Sequence, residues 1–194
     1  TSAGPTSFAR EARAALEEQA DLLTAVEPAL AILDELCTRI REYDKTITRC
    51  ADARHPQARK LQAISGVGPI TSLSFVLTIE GPQRFEDPRG VGAYLGLVPR
   101  RDQSGKSDKQ LPISKTGNRY LRGLLVQSAQ YILGRFGPEC ELRRHGLKLA
   151  SRGGKAAKKK AVIAVARKLA VVMLAMWKSQ SDYRPLRQPD PVAA

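Results

Sequence analysis

A serine and a glycine, Ser104 and Gly105, lie in a strongly basic stretch, PRRDQSGKSDKQLPISKTGNRYLRGLL (residues 99–125), that contains no histidine. A serine hydroxyl attacks phosphorus only when its proton is removed or its alkoxide is stabilised. In phosphoryl transfer, cationic side chains can supply this stabilisation by neutralising charge on the phosphate oxygens. The cations around this serine are Arg100, Arg101, Lys106 and Lys109. Further along the chain, Lys115, Asn118, Arg119 and Arg122 are expected to extend this surface that binds nucleic acid.

The same residues also fit a simpler interpretation, in which Ser104 belongs to a turn on a basic loop that holds nucleic acid without reacting. Charge runs on loops are common and reactive serines are rare, so the residues alone favour this simpler interpretation. Ser114 is a competing serine, but its place just before a predicted helix cap suits structure or phosphate contact better. Tyr120 is the other possible nucleophile in this stretch. Arg122, two residues further along a helix, points away from Tyr120, so we expect Tyr120 to pack or stack instead.

Neither a metal site nor a cofactor site is predicted within this chain. Asp102 and Asp108 bracket Ser104, but no pair of acids on a strand pattern indicates a two-metal centre. The three cysteines are odd in number and widely spaced, so they form neither a disulfide framework nor a zinc site. They favour a reducing intracellular compartment.

A glycine-rich turn lies earlier in the chain, in the stretch LQAISGVGPITSLSF (residues 61–75). Apolar residues precede Gly66 and Gly68, and a helix is predicted directly after them. This spacing fits a helix-hairpin-helix, in which glycines allow positive φ angles and a close approach to a phosphate. The alternative is an ordinary turn between two helices, and the basic context favours a nucleic-acid contact through both glycines.

The stretch GGKAAKKK (residues 153–160) is a weak match to an anion-binding loop. It is not a P-loop, because no Gly-Lys-Ser/Thr follows at the required spacing. Its lysines open a predicted helix, and they fit either a contact with a phosphate backbone or a solvated helix end.

The composition indicates a polyanionic partner. The 194 residues include 32 Lys and Arg against 19 Asp and Glu, a formal charge of +13. Such a protein usually meets a polyanion, because its cations release the counterions condensed on phosphates, and nucleic acid is the first candidate. A membrane surface is a weaker candidate, since the basic segments lack a large aromatic face. No run of 18 apolar residues exists to span a bilayer.

The elements that must position these residues are predicted to be mostly helical. Residues 8–54 are rich in Ala and Glu, Pro28 is expected to open a new helix, and apolar residues recur from Leu30 at three- and four-residue steps. This pattern predicts a helical hairpin or coiled-coil arm, with packing onto the protein's own domain as the alternative. Further helices are predicted over residues 119–136, capped by Asn118, and over residues 155–178.

The predicted fold class is therefore mostly α, with the helical arm followed by a compact helical domain that contains the helix-hairpin-helix and a long basic loop. The loop, residues 94–117, has no long periodic element, and a short hairpin within it is the alternative. The predicted domains are residues 1–58 for the arm, 59–180 for the compact domain and 181–194 for a Pro-rich, disordered tail.

Several phrases in fixed order carry a family resemblance. They are the Gly-Val-Gly-Pro turn, RF, YLGLVP, the Ser-Gly pair and ISKTGNRYLR, spread over residues 61–177. Together they resemble the C-terminal transposase domain of insertion-sequence transposases that combine a DEDD metal site with a catalytic serine. Relatives of that family include pilin-gene-inverting recombinases, and some members are guided by a bridge RNA.

The resemblance implies that Ser104 is a nucleophile that forms a transient phosphoserine link to a DNA end. It also implies that the arm joins an upstream RuvC-like domain, which would carry the metal-binding acids and Mg²⁺, and contributes to a homo-oligomer. On this basis we expect DNA, and in some members a guide RNA, as partners in the bacterial cytoplasm, at the nucleoid. A chain without that upstream domain is expected to bind nucleic acid but not to cut DNA alone. A non-catalytic helix-hairpin-helix module and a structural RNA-binding protein are the alternatives.

Overall fold

A computed structural model describes Gly4, residues 7–104 and residues 107–186, with only the backbone described for 101–104 and 107–110. Within these residues the chain forms eight α-helices, two single-turn 3-10 helices and one two-stranded sheet. The predicted mostly α class is confirmed. The chain divides into two compact units, Thr1–Cys50 and Ala51–Ala194, so the boundary falls within the second helix.

The first unit consists of α1 (Phe8–Ala15) and most of α2 (Ala20–Arg54). Arg13 joins the two helices: its guanidinium donates to the Glu27 carboxylate at 2.8 Å and to the Asp34 carboxylate at 2.7 Å. This pairing lowers the pKa of Glu27, chiefly through the hydrogen bonds from Arg13. These two ion pairs of Arg13, with Glu27 and Asp34, hold α1 against the helix that follows it.

Pro28 does not open a helix as the sequence predicts; it lies inside α2, which begins at Ala20. Proline lacks an N–H group, so the turn that contains Pro28 loses one backbone hydrogen bond. Arg13 contacts Glu27 before the proline and Asp34 after it, which stabilises both parts as one continuous helix. The initiation signal at Pro28 is thus overridden by contacts with α1.

The second unit is built around the C-terminal helix α8. Its helices are α3 (Pro56–Leu61), α4 (Pro69–Ile79), α5 (Val91–Tyr94), α6 (Arg119–Leu133), α7 (Glu141–Ala150) and α8 (Gly154–Ser179), with 3-10 turns at Pro82–Arg84 and Pro88–Gly90. Helix α8 packs against α3, α5, α6 and α7. The fully buried residues of α8 meet Leu121, Leu125 and Ile132 of α6 in one core.

The structure corrects the predicted end of one helix and adds a helix that the sequence did not predict. Helix α6 ends at Leu133 rather than at residue 136, because Gly134 follows in an extended conformation. Helix α7 lies in a stretch for which no helix was predicted; it is short and buries only Leu142 and Gly146. A ten-residue helix with two core residues leaves little periodic signal in a sequence.

The segment predicted as a long basic loop contains a β-hairpin, the stated alternative. Its strands are β1 (Pro99–Ser104) and β2 (Ser107–Ile113), which pair antiparallel. Polar residues occupy five of the six positions of β1 and the first four positions of β2, so the alternation of apolar and polar residues that reveals a strand is missing. The backbone pairing alone defines these strands.

Residues 181–186, the described part of the predicted tail, contact the start of α7. The Glu141 amide donates to the Pro185 carbonyl at 2.8 Å. Tyr183 is half-buried, and burial, followed by its contact with Cys140, raises the pKa of Tyr183 to about 12. The prediction for residues 187–194 lies outside the described residues.

Candidate nucleic-acid interface

The hairpin places Ser104 at the end of β1, next to the connection between the two strands. Ser104 pairs with Ser107, and Asp102 pairs with Lys109. The connecting residues Gly105 and Lys106 lie outside the described residues, as do the side chains of Ser104, Arg101 and Lys109. The backbone therefore gives the position of Ser104 in the hairpin, and its contacts with the surrounding cations stay a prediction.

The hairpin is anchored at its other end by backbone contacts, which we call the hairpin root (residues 94–98 and 114–117). The Ser114 amide donates to the Val98 carbonyl at 2.9 Å, and the Lys115 amide donates to the Gly96 carbonyl at 3.2 Å. Among the described elements, the two strands pack mainly on each other. The root is thus the principal attachment of the hairpin within the described part of the chain.

Two glycines allow the two sides of the root to touch. Gly96 and Gly117 both have positive φ angles, 66° and 72°. A methyl group on Gly96 would overlap the backbone of Thr116, and one on Gly117 would overlap the Tyr94 carbonyl. Any other residue at these positions would be strained and would also force the root open.

Arg122 corrects a prediction, because it is a structural residue rather than a surface cation. It is buried, and its Nη1 donates to the Thr116 carbonyl at 2.7 Å and to the Leu95 carbonyl at 3.1 Å. One guanidinium therefore ties both sides of the hairpin root to α6. The Arg-rich pattern around it in the sequence does not reveal this burial.

Asn118 likewise has structural contacts, although it is exposed. Its side chain accepts a hydrogen bond from the Leu121 amide at 3.0 Å, so it caps α6 as the sequence predicts. Its amide nitrogen donates to the Thr78 hydroxyl at 3.4 Å. Ser114, the competing serine, shares a 3.1 Å hydrogen bond with the Thr116 hydroxyl.

The remaining predicted cations with described side chains face solvent. Arg100, Lys115 and Arg119 are all exposed, and Lys115 has a positive φ of 58°. They lie in the hairpin, in its root and at the start of α6. These three cations are thus exposed, whereas Arg122 is buried.

The predicted glycine turn separates α3 from α4. Gly66 has a φ of 86°, and a methyl group there would lie 2.9 Å from Cδ1 of Tyr131 and 3.1 Å from the Ser128 carbonyl oxygen. Gly68 precedes α4 with an ordinary φ of −91°, and a methyl group there would meet no atom within 4 Å. Gly66 is thus required by packing against α6, whereas Gly68 faces open space.

A cleft of about 440 Å³ lies between this turn and α6. The turn contributes both glycines, α4 contributes Thr71, and α6 contributes Leu124, Gln127 and Tyr131. The α6 residues were not among the predicted site residues. Their spacing with Tyr120, four, three and four residues, places them on one face of the helix, which is the signal that could have identified them.

The described residues do not fit a metal centre. Within them, no group of three or more His, Cys, Asp or Glu side chains could hold a metal ion. A Mg²⁺ ion of the kind that the resemblance implies has no ligand set on this part of the chain. None of the described helices is long and apolar enough to cross a membrane.

Comparison with known proteins finds a family match for part of this chain. Residues 58–145 match the family described as Transposase IS116/IS110/IS902. This segment contains the glycine turn, the hairpin and its root, and it is similar to the transposase domain of that family.

Several individual proteins are also similar to this chain. The chain is 33% identical over 146 residues to the transposase for insertion sequence element IS1111A of Coxiella burnetii, which covers 75% of this chain and 39% of that protein. It is 40% identical over 133 residues to the putative transposase y4rJ of Sinorhizobium fredii, 66% of this chain and 31% of that protein. It is 28% identical over 155 residues to the pilin gene-inverting protein of Moraxella bovis, 74% of this chain and 47% of that protein. The chain thus spans less than half the length of each of these relatives.

Proposed function

We propose that this chain is part of a DNA transposase or site-specific recombinase, and that Ser104 is the nucleophile that cleaves and exchanges DNA strands. The observation that carries the proposal is the position of Ser104 at the end of a hairpin strand, inside the segment that matches the transposase family. A hairpin that packs mainly on itself can present its end to a duplex.

In the proposed reaction, the Ser104 oxygen attacks the phosphorus of a scissile phosphodiester. A bond forms between this oxygen and phosphorus, and the bond from phosphorus to one deoxyribose oxygen breaks. The hydroxyl proton leaves to water, and the released sugar oxygen takes up a proton from water. The phosphoserine link conserves the phosphodiester energy, so a second DNA end can reverse the step and join the strands.

Cations and glycines supply the proposed grip on DNA. Arg100, Arg101, Lys106 and Lys109 would neutralise the phosphate during this reaction, as cations do in phosphoryl transfer. Lys115 and Arg119 extend the basic surface towards α6. Gly66 and Gly68 would approach the duplex backbone in a helix-hairpin-helix manner, which the open space around Gly68 supports.

Three further features belong to the same proposal. The metal-binding acids and Mg²⁺ are expected in an N-terminal domain of the longer protein, and a guide RNA is expected if this chain follows the bridge-RNA members. Oligomerisation through the helical arm is supported by the exposed apolar residues Ile32, Leu36, Ile40 and Tyr43 on α2. A chromosomal DNA substrate would place the protein in the bacterial cytoplasm, at the nucleoid.

Trapping a covalent adduct tests the role of Ser104. The longer protein, with its N-terminal domain, is incubated with labelled element-end DNA, and with its guide RNA if it has one. Adducts are resolved on a denaturing gel and mapped by mass spectrometry. The proposal expects an adduct on Ser104 that disappears in Ser104→Ala.

Ser107→Ala is the matched control, because Ser107 pairs with Ser104 across the hairpin and the substitution is the same. It should retain the adduct, and Ser114→Ala should retain it too. Cleavage by Ser104→Ala at the wild-type rate would contradict the proposed nucleophile and leave this domain as the part that binds DNA.

The alternative function is a non-catalytic helix-hairpin-helix module that binds nucleic acid. The arrangement of α3, the glycine turn and α4 favours it, because that arrangement needs no reactive serine. Under this alternative, recombination survives Ser104→Ala, and binding to duplex DNA depends on the turn alone.

A further inference from the structure

A second basic surface lies outside the segment that matches the transposase family. Between Glu141 and Asp182 the sequence has eleven Lys and Arg residues and no acidic residue. Six of these cations cluster around the end of α7 and the start of α8, and all six are exposed. We call them the α7–α8 basic surface: Lys148, Arg152, Lys155, Lys158, Lys159 and Lys160.

Helix α8 extends beyond the core at this surface. From Ala161 onward one face of α8 is buried, and it includes Ala166, Ala170 and Met173. With a rotation of roughly 100° per residue, Lys155, Lys158 and Lys159 lie on that same face, one to two turns earlier. The face that packs in the core is therefore exposed and cationic at the start of the helix.

This arrangement is electrostatically unfavourable for the isolated protein. The first turn of α8 has no acidic residue, and Gly153 at its start makes no side-chain cap. Cations near a helix N-terminus oppose the helix dipole, and like charges three or four residues apart repel each other. No ion pair involves these six cations among the described residues. A bound polyanion would relieve both effects.

A neighbouring histidine reports the same positive field. His145 on α7 has a lowered pKa, first because it is partly buried and then because Lys168 and Lys148 lie near it. Lys148 and Lys168 therefore act on one common region, whereas Arg144 of α7 is paired with Glu139 and Glu141.

The chemistry of this surface favours the backbone of a duplex over unpaired bases. Single-stranded nucleic acid is usually held by aromatic side chains that stack on its bases. The sequence has no Phe, Tyr or Trp between Phe136 and Trp177. Lysines without aromatic neighbours contact phosphates and carry no base readout.

We propose that the α7–α8 basic surface binds the phosphodiester backbone of a double-stranded nucleic acid, in addition to the contact proposed for the hairpin. This inference goes beyond the proposed function, because it holds whether or not Ser104 reacts. Its failure would leave the Ser104 proposal intact, since the two are measured on different residues with different readouts.

The test is the salt dependence of duplex binding by the full 194-residue chain. A labelled DNA duplex of arbitrary sequence is titrated at several salt concentrations, with a duplex RNA and the single-stranded DNA as parallel arms. In the variant Lys155→Gln, Lys158→Gln and Lys159→Gln, the slope of log Kobs against log salt should become shallower by about 2 to 3. This follows from about 0.9 counterions released per phosphate contact.

The matched control is Arg41→Gln, Lys45→Gln and Arg49→Gln in α2, which removes the same charge from exposed positions. The control should keep the wild-type slope, and the α8 variant should unfold at the wild-type temperature or above, because it loses like-charge repulsion. Three results would overturn the proposal. They are an unchanged salt slope in the α8 variant, an equally reduced salt slope in the control, and a larger change of slope for single strands than for duplexes. The duplex arm with the larger slope change identifies DNA or RNA as the source of the backbone.

Discussion

The two glycines of the turn between α3 and α4 should respond in opposite ways to the same substitution. Gly66→Ala places a methyl group 2.9 Å from Cδ1 of Tyr131 and 3.1 Å from the Ser128 carbonyl oxygen, at a φ of 86°. Gly68→Ala places a methyl group in open space at a φ of −91°. Comparing the two substitutions therefore distinguishes a glycine needed for packing, Gly66, from a glycine that is free to contact DNA, Gly68.

The expected magnitudes follow from these surroundings. The positive φ costs alanine about 1–2 kcal/mol, and the overlap with Tyr131 and the α6 backbone adds about 1–3 kcal/mol. Gly66→Ala should thus lower the free energy of unfolding by about 2–5 kcal/mol. In Gly68→Ala, the poorer helix cap and the reduced freedom of the unfolded chain offset each other, which leaves the free energy within about 0.5 kcal/mol of wild type.

Denaturation with urea, followed by circular dichroism, measures both stabilities, and fluorescence anisotropy with a labelled duplex measures binding. If the Gly68 backbone approaches a phosphate, Gly68→Ala should weaken binding about tenfold without loss of stability, the effect of one hydrogen bond to a charged group. Equal stabilities of Gly66→Ala and wild type would refute the packing argument. Wild-type affinity of Gly68→Ala would refute the proposed backbone contact.

Two other substitutions test features of the second unit. Arg122→Met should lower the free energy of unfolding by about 2–5 kcal/mol, because the Leu95 and Thr116 carbonyls lose their hydrogen-bond donor. A change in the salt slope of DNA binding without a loss of stability would contradict the structural role of Arg122. Because the pKa of Tyr183 is raised to about 12 in the folded chain, from about 10 in the unfolded chain, only the unfolded chain loses the proton between these values. Stability should therefore fall as pH rises from 10 to 12, and urea denaturation of Tyr183→Phe should show a shallower fall.

Local signals in the sequence predicted the helices that carry their own caps or broad apolar faces. Asn118 caps α6 as predicted, because an Asn side chain can reach the amide three residues ahead without help from the rest of the fold. Helix α8 spans Gly154–Ser179, close to the predicted 155–178, because its apolar residues repeat over seven turns.

Features that depend on distant residues could not be predicted. Whether Arg122 binds phosphate or caps two carbonyls depends on the hairpin root, which exists only after residues 94–98 and 114–117 meet. The residues next to Pro28 do not show whether it begins a helix or lies inside one. The contacts of Arg13 in α1 with Glu27 and Asp34, on either side of Pro28, favour the continuous helix. The hairpin strands lack apolar alternation, so their pairing leaves no trace in the residue pattern.

The conformation of the hairpin root sets the direction of the hairpin, so a small change of angle at the root moves the far end of the hairpin by a larger distance. Six residues of β1 at about 3.3 Å each put Ser104 roughly 20 Å from the root, so a rotation of about 5° there moves the serine by about 1.7 Å. Reacting groups lose about a hundredfold in rate for a misplacement of about 1 Å. If Ser104 reacts as proposed, substitutions at Gly96 and Gly117 would change its reaction rate by changing the angle of the hairpin.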